Sequence, residues 1–308
     1  MAFDLSRQVD KAKRHIAEGE KHLAKWSLFS GLNKHEDAAE CFKAAGNAYK
    51  AGRLWDEAAQ VYLRAAGEFE LAKGNVDASA CYVEAAKCQK NVSPAEAAET
   101  YKKAILIYRD SGRFQQAGKM MKEVGEIYEG LGEFAEAVEH LQWAAEDLAN
   151  ENSESAANAC MIKIATMVSK DIQPPDFARA AQIFEDVGRS CMEKRLLQMN
   201  ARGYWLQAGL CLLAQGDTVA ARQKQEQFRA VDHNFEDSRE FRFLDQLIKA
   251  TEDLDVEAFA QQCYDYDQMT KLDPWTTHMC LAIRRAIEAG AGVGGDEGDG
   301  DEEEPDLR

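Results

Sequence analysis

The sequence predicts an all-α fold, a solenoid of antiparallel helix hairpins capped by a C-terminal helical bundle, and three observations predict it. Pairs of small residues ahead of a bulky side chain recur at intervals of about 20 residues. Turn-forming residues interleave at the same interval. Only 5 prolines interrupt 308 residues that are 45% apolar.

The first helix comes from Met1 to Lys25, where charged and apolar residues alternate. The repeats then begin. Ala38-Ala39 precedes Phe42, Ala58-Ala59 precedes Tyr62, Ala78-Ser79 precedes Tyr82, and Ala97-Ala98 precedes Tyr101. The series continues through Ala117-Gly118 with Met121, Ala137-Val138 with Leu141, Ala156-Ala157 with Cys160, and Ala180-Ala181 with Phe184. Gly52, Gly74, Asn91 to Pro94, Gly112, Gly130 with Gly132, Asn150 with Asn152, and Pro174-Pro175 separate them. One continuous helix is excluded, since 20 residues at about 100° each do not return to the same face and glycine and proline interrupt it. Short turns make neighbouring helices antiparallel. Ser93, Pro94 and Glu96 read as a capping box that starts one helix.

After Pro175 the period loosens, but amphipathic segments persist near 195–214, 218–230, 236–250, 255–270 and 275–289. Residues 290–308 are Gly-rich and then acidic, holding eight acids and one arginine. The expected organisation is a repeat solenoid over 1–194, a helical bundle over 195–289 and a disordered tail over 290–308. Pairs of helices of about 40 residues resemble tetratricopeptide repeats with longer helices, stacked as a right-handed solenoid.

Composition excludes several functions. A formal net charge of −17 opposes nucleic acid, whose partners carry a basic excess. No segment reaches the roughly 18 apolar residues of a spanning helix, and the expected location is cytoplasmic. The eight cysteines lack a Cys-x-x-Cys pair and read as reduced core thiols, Cys81 and Cys88 included. The six histidines make no metal-like spacing, so neither a metal nor a cofactor is expected. Gly290 to Gly295 satisfies G-x-G-x-x-G but follows a helix and runs into acids, outside the strand–turn–helix setting that binds dinucleotides. With no phosphate loop or nucleophile elbow, an enzyme is not expected. Trp26 to Leu32 is apolar where a polar loop is usual. Exposed, it would contact a membrane or partner; folded back, Trp26 or Phe29 would staple the next helix.

Together these segments resemble the alpha-type soluble NSF attachment proteins. The resemblance rests on Leu28-Phe29-Ser30-Gly31-Leu32, Ala104 to Tyr108 followed by Gly112-Arg113-Phe114, Glu126-Ile127-Tyr128, Asp237 to Glu240, Leu272 to Trp275, and the ending Asp306-Leu307-Arg308. It implies an adaptor that binds SNARE four-helix bundles, syntaxin-type and others, and recruits and stimulates the ATPase NSF in vesicle trafficking and membrane fusion. It implies SNARE contacts at Arg53, Lys90, Arg113, Lys119, Lys163 and Arg202, and a membrane loop of Trp26, Leu28, Phe29 and Leu32, peripheral on the bilayer. NSF binding and activation fall to Asp217, Glu252, Asp253 and Leu307. This chain departs from the family at Ala159, Asn33 and Lys249, where a lysine, a phenylalanine and an acid are usual, and in its longer acidic tail. The competing expectation is a tetratricopeptide-type receptor holding an extended peptide in the same groove.

Overall fold

The computed structural model describes the backbone of residues 2–24 and 31–290, and within these the side chains of 5–24 and 33–290. Among the described residues every regular element is an α-helix. The order is α1 (Ala2–Ala24), α2 (Gly31–Ala51), α3 (Trp55–Leu71), α4 (Asn75–Gln89), α5 (Pro94–Asp110), α6 (Phe114–Leu131) and α7 (Phe134–Asn150). Then come α8 (Glu154–Lys170), α9 (Phe177–Met192), α10 (Gln198–Ala214), α11 (Thr218–Val231), α12 (Arg239–Glu252), α13 (Val256–Met269) and α14 (Pro274–Gly290). Two compact units divide the chain, Met1–Cys160 and Met161–Arg308, with the division inside α8.

In the first unit the 20-residue period has a backbone cause. At each of five joints one residue ends a helix and begins the next. Leu54, Gly74, Arg113, Glu133 and Ser153 donate their N–H to the carbonyls of Tyr49, Phe69, Tyr108, Tyr128 and Leu148, five residues back. Their own carbonyls accept from the N–H groups of Ala58, Ala78, Ala117, Ala137 and Ala157, four residues on. The backward bond is the six-to-one closure of a Schellman motif, which needs a left-handed residue just before the joint. That residue is Arg53, Lys73, Gly112, Gly132 or Asn152, with φ between 56° and 77°. The alanine that donates the forward bond is the first of its small pair at four joints and the second, Ala157, at Ser153, so joint and packing surface keep nearly one register. Ser93 departs from this pattern, donating to the carbonyl of Gln89 instead. Ser93 sits at the N-cap with Pro94 at the first helical position, but its side chain accepts no capping bond, so the capping box is absent.

The small pairs are buried as expected, Ala156 alone remaining half-exposed, and the bulky residue of each pair lies in the core. Glycine on α6 lets α7 approach closely: a Cβ on Gly125 would come within 2.7 Å of Leu141 Cγ. Two turns earlier on the same helix, a Cβ on Gly118 would lie 2.9 Å from Leu148 Cγ. The two contacts run in opposite order along the chain, which makes α6 and α7 antiparallel. Helices two apart are tied by polar bridges: Arg64 of α3 to Glu20 of α1, Lys50 of α2 to Glu84 of α4, and Arg109 of α5 to Asp147 of α7.

The second unit keeps this joint at Asp217 and Asp255, after the left-handed Gly216 and Leu254, but fills its core differently. Trp205 of α10 is fully buried, stacked on Phe228 at 5.0 Å and edge-on to Phe235 at 5.3 Å. Gly188 of α9 admits the indole, since a Cβ there would lie 2.4 Å from Nε1. Phe243 of α12 stacks on Tyr266 of α13 at 4.1 Å, and Trp275 of α14 donates from Nε1 to Ser169 of α8 at 2.9 Å. The five C-terminal segments expected from amphipathicity appear as α10 to α14.

Candidate partner-binding surfaces

Six basic residues were expected to share a task, and the fold places each by its position relative to the joints. Arg53 occupies the left-handed position of the α2–α3 joint, at φ 57°, with its side chain exposed. Lys90 caps the C-terminus of α4 and pairs with Glu123 of α6 at 2.7 Å. Since α2 and α4 run the same way, Arg53 and Lys90 mark one edge of the first unit. Arg113 is the joint residue before α6 and so marks the opposite edge. Lys119 lies five residues into α6, about 8 Å along its axis. Arg113 and Lys119 are exposed, and neither makes an ion pair among the described residues.

Lys163 and Arg202 belong to the second unit. Lys163 is half-buried on α8. Arg202 is only 15% exposed and is held by the buried Asp232 at 2.9 Å. Asp232 Oδ1 also accepts from the N–H of Asn234, so this arginine is committed to closing the turn after α11. Sequence spacing gave no sign of a partner 30 residues away.

The acidic residues gather at one end of the second unit. Asp217 caps α11, accepting from the N–H of Ala220 at 2.8 Å, and remains exposed. One turn on, Arg222 reaches the end of α12, donating to Glu252 at 2.8 Å and 3.1 Å. The hydrogen bond to Glu252 raises the basicity of Arg222 further, against a smaller effect of burial. Asp253 caps α12, and Asp255, absent from the sequence-based set, caps α13. Lys249, where an acid is usual, pairs with Asp245 at 2.8 Å. A Cβ on Gly290 would lie 3.3 Å from Leu254, so α14 ends against the α12–α13 turn. Trp26, Leu28, Phe29 and Leu307 lie outside the described residues, as does the side chain of Leu32.

The sequence pattern of one family, described as "Soluble NSF attachment protein, SNAP", matches residues 10–288. The chain belongs to the soluble NSF attachment protein family. It is 32% identical to the alpha-soluble NSF attachment protein of Vitis vinifera over 285 residues, covering 92% of this chain and 97% of that one. It is equally 32% identical to the beta-soluble NSF attachment protein of Bos taurus, over 97% of this chain and 99% of that one. It is 31% identical to a probable vesicular-fusion protein, the sec17 homolog of Schizosaccharomyces pombe, over 91% and 96%. Among the described residues no helix is long and apolar enough to cross a membrane.

Proposed function

We propose that the chain is a non-enzymatic adaptor that binds SNARE four-helix bundles, recruits NSF and stimulates its ATP hydrolysis, working in the cytoplasm and peripherally at membranes. The observation that carries this reading is the family match along residues 10–288, joined to relatives named for NSF attachment and vesicular fusion. The charge layout supports it. Arg113 and Lys119 present cations without intramolecular ion pairs on an otherwise acidic protein, which suits electrostatic steering toward an acidic helical bundle. Asp217, Glu252 and Asp253 form a negative end suited to a basic domain of NSF, and Leu307 is assigned to stimulating its ATP hydrolysis. Arg53, Lys90 and Lys163 are assigned to the SNARE contact with them. Arg202 acts there through its pairing with Asp232. Trp26, Leu28, Phe29 and Leu32 are assigned to the membrane.

The test is reconstitution of the full chain with NSF, ATP and a preformed SNARE complex. Disassembly is expected, while Arg113→Glu with Lys119→Glu weakens SNARE capture more steeply as salt rises. Leu307→Ala leaves capture intact and lowers stimulated ATP hydrolysis. Capture of a free extended peptide without disassembly of the bundle would oppose the reading in favour of a peptide receptor.

A further inference from the structure

Among the described residues, one group of mixed metal-ligating side chains converges outside the surfaces above. Glu18 and His22 lie four residues apart on α1, and Cys41 faces them from α2, with their donor atoms all within 4.8 Å of one another. Asp37, one turn before Cys41 on α2, places Oδ2 3.3 Å from Nδ1 of His22. The two i,i+4 pairs face each other in antiparallel order, Glu18 level with Cys41 and His22 level with Asp37. The close approach has a cause in the sequence. Gly19 lies under the ring of Phe42, where a Cβ would come within 2.8 Å, and this brings α1 against α2 at the level of the cluster.

We propose that Glu18, His22 and Cys41 form a surface site for a zinc-type divalent metal, with Asp37 fixing the His22 ring. Thiolate, imidazole and carboxylate together are the donor set that zinc takes in tetrahedral coordination. A tetrahedral zinc with bonds of about 2.0 to 2.3 Å holds its donors some 3.3 to 3.8 Å apart, so closure of about 1 Å brings the three donors into coordination, with water as the fourth ligand. Glu18 supplies that movement, since its side chain is 60% exposed, whereas the other donors stand on packed helix faces. A carboxylate against the remaining ring nitrogen is the usual device for orienting a ligating histidine and raising its basicity. The surroundings favour a cation: Glu40 adds a third carboxylate near Cys41, partly offset by its pairing with Lys43 at 3.1 Å. Cys41 is also the one cysteine of eight that is not fully buried, so a metal can reach it. Coordination moves the Cys41 proton to solvent and leaves a sulfur–metal bond. The bound ion would clamp α1 to α2 at the stem of the hairpin whose connection is residues 25–30. This inference does not depend on the adaptor reading, because its test needs only the isolated chain.

The experiment is titration of the reduced, chelator-stripped full chain with Co2+, followed by Zn2+. One equivalent of Co2+ is expected to give a thiolate-to-cobalt charge-transfer band, which Zn2+ then removes. Cys41→Ser abolishes the band, and His22→Gln weakens Zn2+ binding by at least about tenfold. The acidic tail has no cysteine and cannot produce the band. Absence of the band in the unaltered chain, or its survival in Cys41→Ser, overturns the proposal.

Discussion

The two units share a backbone joint between helices but differ in what they add to it and in how they fill a core. In the first, α3, α4, α6 and α7 start without any side-chain cap, because their joint residues close both helices through the backbone alone. In the second, α9, α11, α12 and α13 start on Asp176, Asp217, Ser238 and Asp255, whose side chains each accept a backbone N–H; Asp217 and Asp255 add this cap to the same backbone joint, following the left-handed Gly216 and Leu254. The cores differ in parallel. Small pairs distribute burial evenly along the first unit, while the second concentrates it around Trp205, Phe228 and Phe235. The backbone joint recurs in both units, so the sequence stays periodic where small pairs fill the core at every joint and becomes irregular where side-chain caps and an aromatic cluster take over.

The contrast can be broken at its most concentrated point. Trp205→Ala should cost the second unit about 3–5 kcal/mol, because the cavity left under Phe228 cannot collapse onto helices fixed on several sides. Urea denaturation would check this, and a loss below about 1 kcal/mol would mean that the cluster does not organise the unit.

A smaller effect is expected at Glu185, whose side chain is 6% exposed and pairs with Lys224 at 2.6 Å and Arg189 at 2.8 Å. Burial alone would raise its pKa, but hydrogen bonds from Lys224 and Arg189 outweigh that and hold it below the ordinary carboxylate range. Lys224→Ala should cost about 1–3 kcal/mol at neutral pH, with Arg189 keeping part of the compensation. A folded pKa below the unfolded one gives stability that is present above about pH 4.3 and lost as pH falls through the folded value. Stability curves of variant and unaltered chain should therefore converge in acid. A gap that persists there would assign the loss to packing of the lysine stem.

The smallest change sharpens the comparison within the first unit. Lys73 holds φ 60° at the α3–α4 joint, where glycine would carry no Cβ penalty. Lys73→Gly should stabilise by about 0.5–1 kcal/mol, the left-handed penalty less the added freedom of the unfolded chain, measured as a rise in Tm. Arg53→Gly should gain similarly, and on the proposed function it should also weaken SNARE capture, separating strain kept for binding from strain kept for nothing.

Much of the fold was legible in the residues because the alanine pairs report directly on helix approach. Ala58-Ala59 with Tyr62 signals burial whatever surrounds it, and the structure buries all three. The left-handed joints at Gly112 and Gly132 were legible as turns, whereas Arg53 and Lys73 were not, since neither residue type announces a positive φ. The capping box failed at Ser93 because the joint bonds through its backbone. Family resemblance suggested positions for the proposed binding residues but not their local commitments, such as Arg202 held by Asp232. The Glu18, His22 and Cys41 cluster was hidden for a related reason: its donors come from two helices, and only the Gly19 contact brings them together.

The double-duty joints carry a mechanical consequence. When Leu54, Gly74, Arg113, Glu133 or Ser153 closes one rod, it opens the next in the same atom group, leaving no spare link that could act as a swivel. Adding or deleting a single residue there would turn the following rod by about 100° and rotate its alanine pair out of contact. Natural variation in length should accordingly avoid these five points, and a torque applied to one rod must be shared by its neighbours instead of being absorbed between them.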